Sequence, residues 1–306
     1  MENKKSTVVF KKDNAFKSRI RAAFLPTNRF RTLVFTVVFI LFFLYAIGLL
    51  YPLFYGFIIS LKENGRAFMR DPVSITFPLY FGNYVKAFQR LEVEGVGFLG
   101  MVFNSLWYSA GSTLLSLLSC TCTGYVIAKY NFRGRKFLYN TAIVVMMIPI
   151  YGSLPAQYRF YNNLGMINSP LILLASLGGF GTYFIYVHAF FKSLSWSYAE
   201  AAFIDGASNL RVFFSIMLPM LLPSLAALEV MSFVGVWNDY SGPLLWLPQL
   251  PPLAYGLYVY EFEIQYTANQ PVYFAGVILS LIPAVTLFVV FQNTIMSNVY
   301  TGGLKG

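Results

Sequence analysis

Few residues of this chain are of the types that do covalent chemistry, and their spacing argues against catalysis. His188 is the sole histidine. With no Cys or acidic residue near it in sequence, it lacks the three or four ligands that a metal ion needs. No Ser–His–Asp set can be assembled around it either. Cys120 and Cys122 sit in an apolar run, which indicates neither a disulfide framework nor a metal cluster. There is no G-x-x-x-x-G-K-[ST] loop, so the chain cannot bind and split ATP by that machinery. Gly178-Gly179-Phe180-Gly181 has no strand before it and no acidic residue about 20 positions on, so it is not a dinucleotide loop. Two features point to binding instead. Glu229 interrupts an apolar stretch, where an acid either meets a polar substrate or is paired or protonated inside a bundle. Close by, Trp237, Asn238 and Tyr240 combine rings that stack on sugars with an amide that pairs with hydroxyls. Interface anchoring and helix termination are the alternative uses of the same residues.

The elements that carry these residues are membrane spans. Of 306 residues, 57% are apolar and only 11% charged, where a soluble domain has about 25% charged residues. This composition excludes a soluble enzyme, a disordered chain and a nucleic-acid-binding domain, despite the net charge of +10. A span needs roughly 20 apolar residues. Charge-free runs cover 33–61, 95–128, 137–158 and 160–191; a fifth runs from about 213 to 238 around Glu229, and a sixth lies within 271–301. The expected fold is therefore an all-α integral membrane protein of six helices. A basic tail, 1–31, precedes a six-helix transmembrane domain at 32–306, whose first helix is uncleaved and whose other five lie in 98–297. Prolines 243, 248, 251 and 252 make 239–270 a loop. It and the loop 62–98 are both long enough to fold back as short helices.

Sixteen of the 22 Lys and Arg fall in 1–31, 129–136, 192–212 and 297–306, which places both termini in the cytoplasm by the positive-inside rule. Lys11, Lys12, Lys17, Arg19 and Arg21 serve as that topology signal or touch anionic lipid. Ser112, Ser116, Cys120, Gly124 and Ala128 recur every four residues, a stripe that suits close helix packing or, alternatively, a pathway lining.

The segment between the fourth and fifth runs does not belong in a bilayer. It reads Ser197-Tyr198-Ala199-Glu200-Ala201-Ala202-Phe203-Ile204-Asp205-Gly206-Ala207. Ser197 and Glu200 have capping-box spacing, Ala199, Ala201 and Ala202 favour helix, and Gly206 suits a helix end. A second helix is expected from Ser208. Such a short helix with small side chains either fits a groove on another protein or merely ends a hairpin between spans.

From Glu200 to Pro219 the chain reads EAAFIDGASNLRVFFSIMLP. This resembles the signature of binding-protein-dependent ABC importer permeases: EAA, two residues, DGA, eight residues, then I-x-L-P. Further likeness to the maltose-type carbohydrate importers lies in Asn83-Tyr84, Asn104-Ser105, Phe132-Arg133-Gly134-Arg135, Ile148-Pro149, Pro155, Gly165-Met166-Ile167-Asn168-Ser169, Trp237-Asn238-Asp239-Tyr240 and the tail Gly302-Gly303-Leu304-Lys305-Gly306. The resemblance implies a permease subunit of an ATP-driven importer that moves a mono- or oligosaccharide inward by alternating access. It implies that Glu200, Ala201, Ala202, Asp205, Gly206 and Ala207 form a cytoplasmic coupling helix seated in a separate ATPase dimer. That dimer, not this chain, uses ATP and Mg. It also implies a second, homologous permease subunit and an extracellular or periplasmic sugar-binding protein, in a bacterial or archaeal plasma membrane. Asn104, Glu229, Trp237 and Asn238 are the candidate substrate pathway. The alternatives are a permease for a non-sugar solute and a secondary transporter. The second is disfavoured because no internal repeat is visible and Glu229 is the single mid-span charge.

Overall fold

The computed structural model describes residues 29–148, 152–267 and 269–302. The basic residues of the tail from Lys11 to Arg21, Pro149 and the last four residues lie outside the described residues. Helix α1 spans Arg29–Ser60 and runs through Pro52. Contacts divide the chain into two units, Met1–Tyr55 and Gly56–Gly306. The described part of the first unit is helical and apolar, with exposed side chains such as Phe39, Phe42 and Phe54. A helix of this length, rising about 1.5 Å per residue, gains by exposing such side chains only to lipid.

The second unit continues with α2 (Gly65–Arg70) and α3 (Gly82–Arg90), then a two-residue hairpin of β1 (Glu92–Val93) and β2 (Val96–Gly97). The antiparallel register pairs Glu92 with Gly97 and Val93 with Val96. Next come α4 (Phe98–Lys129), α5 (Arg135–Met147), α6 (Leu154–Asn163), a 3-10 turn at Pro170–Ser176, α7 (Thr182–Ser193) and α8 (Ser197–Ile204). A helical stretch follows from α9 (Asn209–Val212) through a π turn at Phe213–Met217 into α10 (Leu218–Trp237). Helices α11 (Ser241–Trp246), α12 (Leu253–Thr267) and α13 (Gln270–Gly302) complete the described residues. The two loops at 62–98 and 239–270 thus carry short helices.

Among the described residues, four helices are long and apolar enough to cross a membrane: Thr32–Ser60, Phe98–Lys129, Asn209–Trp237 and Gln270–Val290. The runs 137–158 and 160–191, expected as one helix each, are divided. The first yields α5, which at 13 residues rises about 20 Å, and the start of α6. The second is broken after Asn163, where Gly165 and Asn168 adopt positive φ, passes through the 3-10 turn at Pro170–Ser176, and resumes as an α-helix only at Thr182. Absence of charge marks residues that tolerate lipid; it does not report the turns that glycine and proline impose within such a run.

Helix α4 is the centre of the second unit, and its most extensive packing is against α7. Three members of the small-residue stripe make this contact. Cys120, Gly124 and Ala128 are buried, and a Cβ added at Gly124 would come within 2.9 Å of Val187 Cγ1. The glycines at 178–181 lie in the loop before α7, where the Thr123 hydroxyl donates to Gly179 O at 2.6 Å. One core cluster joins α4 and α7 to α8 and the π turn through Tyr125, Phe191, Ala199, Val212 and Phe213. Another joins α3, the hairpin and the start of α4 to α12 and α13 through Ala87, Leu91, Met101, Leu253 and Val272.

Candidate functional site

The signature segment folds as two short helices around a tight turn. Helix α8 ends in a Schellman arrangement: Gly206, at φ +79°, donates its N–H to Phe203 O at 3.0 Å, and Ala207 donates to Ala202 O at 2.9 Å. Both bonds satisfy carbonyls that a helix end leaves free. Ser208 then starts α9, its Oγ accepting from the Arg211 N–H. The expected capping box is not formed. Trp196 already has helical dihedrals and is the N-cap, its carbonyl accepting from Ala199 N and Glu200 N, so Ser197 is the first helical residue and not the cap. Ser195, just before the cap, accepts the Ser197 N–H at 3.3 Å. The cause is packing: Trp196 is held between Tyr130 and Phe203, with ring centroids 5.8 and 6.0 Å away.

One side of this hairpin is fastened to the bundle and the other is bare. Ala199 is fully buried. Lys129, at the end of α4, donates from Nζ to Leu194 O at 2.6 Å and lies 5.9 Å over the Trp196 ring. The Tyr130 hydroxyl donates to Asn209 Oδ1 at 3.1 Å. On the free side, Glu200, Ala201, Asp205 and Gly206 are exposed, Ala202 and Ala207 half-buried, and Ile204 is 87% exposed. The Glu200 carboxylate makes no side-chain hydrogen bond or ion pair among the described residues. The free side of this knob thus presents a carboxylate and an isoleucine outward.

The π turn behind the knob follows from Pro219. Proline has no N–H to give to Ser215 O, and its ring crowds that carbonyl. Leu218 N bonds instead to Phe213 O, one residue further back than an α-helix would take it.

The pathway candidates divide. Glu229, Trp237 and Asn238 line one cavity of about 510 Å³ between α4, α10 and α13, with Leu106, Leu114 and Phe233. Thr113 on α4 donates its hydroxyl to the Glu229 carboxylate. The second oxygen of Glu229 is buried and without a hydrogen-bond partner among the described residues. Trp237 is buried and stacks on Phe233 at 5.7 Å, while the Asn238 amide donates back to Val234 O at 2.8 Å and ends α10. Asn104 lies outside this cavity. It is buried, accepts from Trp107 Nε1 and donates to Pro251 O, tying α4 to the loop before α12. His188 is buried and packs on Tyr139, 4.6 Å between ring centroids. No group of His, Cys, Asp and Glu fit for a metal ion occurs among the described residues.

The family profile described as "Binding-protein-dependent transport system inner membrane component" matches residues 121–297, a stretch that contains the whole signature hairpin. The chain belongs to this family. The permease is 29% identical over 249 residues to the arabinooligosaccharides transport system permease protein AraQ of Halalkalibacterium halodurans, covering 81% of this chain and 86% of the relative. It is 29% identical to the galactooligosaccharides transport system permease protein GanQ of Bacillus subtilis, covering 92% of this chain and 99% of the relative. The solved structure of a bacterial ABC transporter involved in the import of the acidic polysaccharide alginate contains a chain that superimposes with a TM-score of 0.71. The match covers 87% of the permease and 98% of that chain at 23% identity, which establishes a shared fold.

Two parts of the permease had no signal in sequence. Thr113 is 116 residues from the acid it meets. Lys62 is only 1% exposed, its Nζ donating to Asp71 O at 2.6 Å and Ser74 O at 2.8 Å. A lone lysine after a span reads as solvated until the loop that closes over it is known.

Proposed function

We propose that this permease is one of two homologous membrane subunits of an ATP-driven carbohydrate importer. The observation that carries the reading is the signature hairpin, fastened to α4 by Lys129 and Ala199 while presenting Glu200 and Ile204 outward. In this reading the spans number six, α5 and α7 being counted with the four long helices. Both termini and the hairpin are cytoplasmic, consistent with the Lys and Arg near that end. Helix α8 is the coupling helix, seated in one subunit of a cytoplasmic ATPase dimer that supplies ATP and Mg chemistry. Closure of that dimer pushes α8, and the Trp196–Tyr130 and Lys129–Leu194 contacts pass the motion to α4. The cavity at Glu229, Trp237 and Asn238 faces the second permease subunit and forms half of the substrate pathway.

The substrate class is an oligosaccharide delivered by an external binding protein. The names of AraQ and GanQ support it, as does a cavity that pairs aromatic rings with a carboxylate. The test is reconstitution of the permease with its neighbouring ATPase, second permease and binding protein in liposomes. Uptake of a labelled oligosaccharide is expected only with ATP and the binding protein present. Uptake by the isolated permease without ATP would refute the assignment in favour of secondary transport.

A further inference from the structure

A second cavity, of about 790 Å³, opens where α4 ends, α5 begins and α7 ends. Three cations, Arg135, Lys136 and Lys192, line it with His188, Asn140 and Phe137, and no acidic residue contributes. Arg135 is held in place, its two terminal nitrogens donating to Asn131 Oδ1 at 2.6 Å and Ala128 O at 3.0 Å. Lys136 and Lys192 are exposed and make no hydrogen bond or ion pair with an acid among the described residues. The cavity therefore gathers positive charge that the chain itself does not neutralise. Helix α5 starts at its rim after Gly134, so the early N–H groups of that helix add to the same potential.

The wall of the cavity continues as a largely apolar stripe. Phe137, 72% exposed, stands at its edge, and Thr141, Val144, Val145 and Ile148 follow on the same face, all exposed. Their spacing of four, three, one and three residues keeps them on one side of α5. Thr141 is the one polar member, and a helical threonine can turn its hydroxyl back to a carbonyl of the preceding turn and leave its methyl outward. A small soluble anion would use the cations and leave this stripe idle. A protein surface would need to follow it far along the bundle. An amphiphile uses both, with its anionic head among Arg135, Lys136 and Lys192 and its chains along Phe137 to Ile148.

We propose that this cavity is a binding site for an anionic phospholipid, its phosphodiester held by Lys136 and Lys192 beside the fixed guanidinium of Arg135. Cationic pockets between spans at the headgroup level have the chemistry for this, and each Lys or Arg near a membrane surface contributes to anionic lipid binding. The site is separate from the cavity at Glu229, and its lining does not enter the proposed transport mechanism.

The assembled transporter in detergent, titrated with dioleoylphosphatidylglycerol or dioleoylphosphatidylcholine, tests this by native mass spectrometry of bound lipid. The unaltered transporter is expected to retain phosphatidylglycerol in preference. K136Q/K192Q is expected to weaken the tightest phosphatidylglycerol site on the order of 30-fold. K136R/K192R, which keeps both charges, is expected to retain it. Equal retention of the two lipids, or unchanged binding in K136Q/K192Q, would overturn the site. Displacement of the lipid by an equal concentration of sn-glycerol 1-phosphate would overturn the lipid assignment, since the head alone would then account for the affinity. Uptake that fails in reconstitution while phosphatidylglycerol preference persists would refute the transport reading and leave this site standing.

Discussion

Lys129 Nζ lies 2.6 Å from the carbonyl oxygen of Leu194, so the last turn of α4 grips the strand of chain that leads into α8. The bond spans 65 residues and is reinforced by the Trp196 ring below the ammonium. A hydrogen bond to a charged group contributes about 1.5–3 kcal/mol. Lys129→Met keeps the aliphatic stem and removes the donor. It is expected to leave membrane insertion intact, lower thermal stability by an amount in that range, and reduce sugar-stimulated ATP hydrolysis more than basal hydrolysis. Equal loss of both activities would point to general unfolding instead of a loosened coupling contact.

Gly206→Val tests the turn itself. At φ +79° a side chain costs about 1–2 kcal/mol, and more when β-branched. No neighbouring atom blocks a Cβ there, so the cost is conformational and local to the hairpin. The variant is expected to insert normally and to lose transport-coupled ATP hydrolysis, with Gly206→Ala milder in the same direction. Normal sugar-stimulated hydrolysis in Gly206→Val would remove the turn from the coupling path.

Helix approach is tested at Gly124, where an added Cβ meets Val187 Cγ1 at 2.9 Å and the His188 backbone nitrogen at 3.2 Å. The backbone contact cannot be relieved by a rotamer change, so α4 and α7 must separate. Gly124→Leu is expected to destabilise the bundle by about 1–3 kcal/mol or more. The pair Gly124→Leu with Val187→Ala should recover only the part due to the valine. Thermal unfolding of the detergent-purified complex measures both. Full recovery in the double variant would show that the His188 backbone has room to give.

How much of this was legible follows from the range of each interaction. The hairpin at 197–207 is legible because its determinants are local: alanines, then a glycine where the helix must end. Its start is where the sequence puts it, but the cap is not: Trp196, held by Tyr130 from 66 positions earlier in the chain, takes helical dihedrals and leaves Ser197 inside the first turn, where it caps nothing. The stretch 160–191 reads as one span because nothing in it is charged. Its division depends on positive-φ positions at Gly165 and Asn168, which hydrophobicity does not encode. Glu229 stood out by sequence, but Thr113, its partner, could be found only once α4 and α10 were side by side.

Acid should open the loop after α1. The Asp71 carboxyl is held below its ordinary value near 3.8 by a hydrogen bond from the Ser74 hydroxyl, then by the Ser74 N–H, with Val73 N–H and the Lys62 charge assisting. A depressed carboxyl stabilises the fold above the ordinary carboxyl range. That contribution is lost as pH falls through the depressed value. Amide protection of Val73 and Ser74 is expected to be steady above about pH 5 and to fall below about pH 4, after correction for intrinsic exchange. Asp71→Asn should flatten the dependence. Persistent protection in acid would assign the order of this loop to Lys62 and its two carbonyl partners alone.

Glu229 separates a transport role from a packing role. If the acid only fills the bundle, Glu229→Leu should be tolerated or even stabilising, since an apolar residue of similar length removes a desolvated carboxyl. Its placement argues otherwise: one oxygen is held by Thr113, and the other is buried at the wall of a 510 Å³ cavity with no partner among the described residues. That leaves an unpaired acceptor beside the cavity, which a rotation of the Glu229 side chain would turn to an entering hydroxyl. Glu229→Leu is expected to keep the thermal stability of the complex while raising the sugar concentration for half-maximal transport on the order of tenfold, the loss of one hydrogen bond to a charged group. Glu229→Gln keeps an acceptor for Thr113 and should fall between. Transport by Glu229→Leu at the unaltered affinity, with stability the same or higher, would return the residue to the packing of α10 and move the pathway elsewhere.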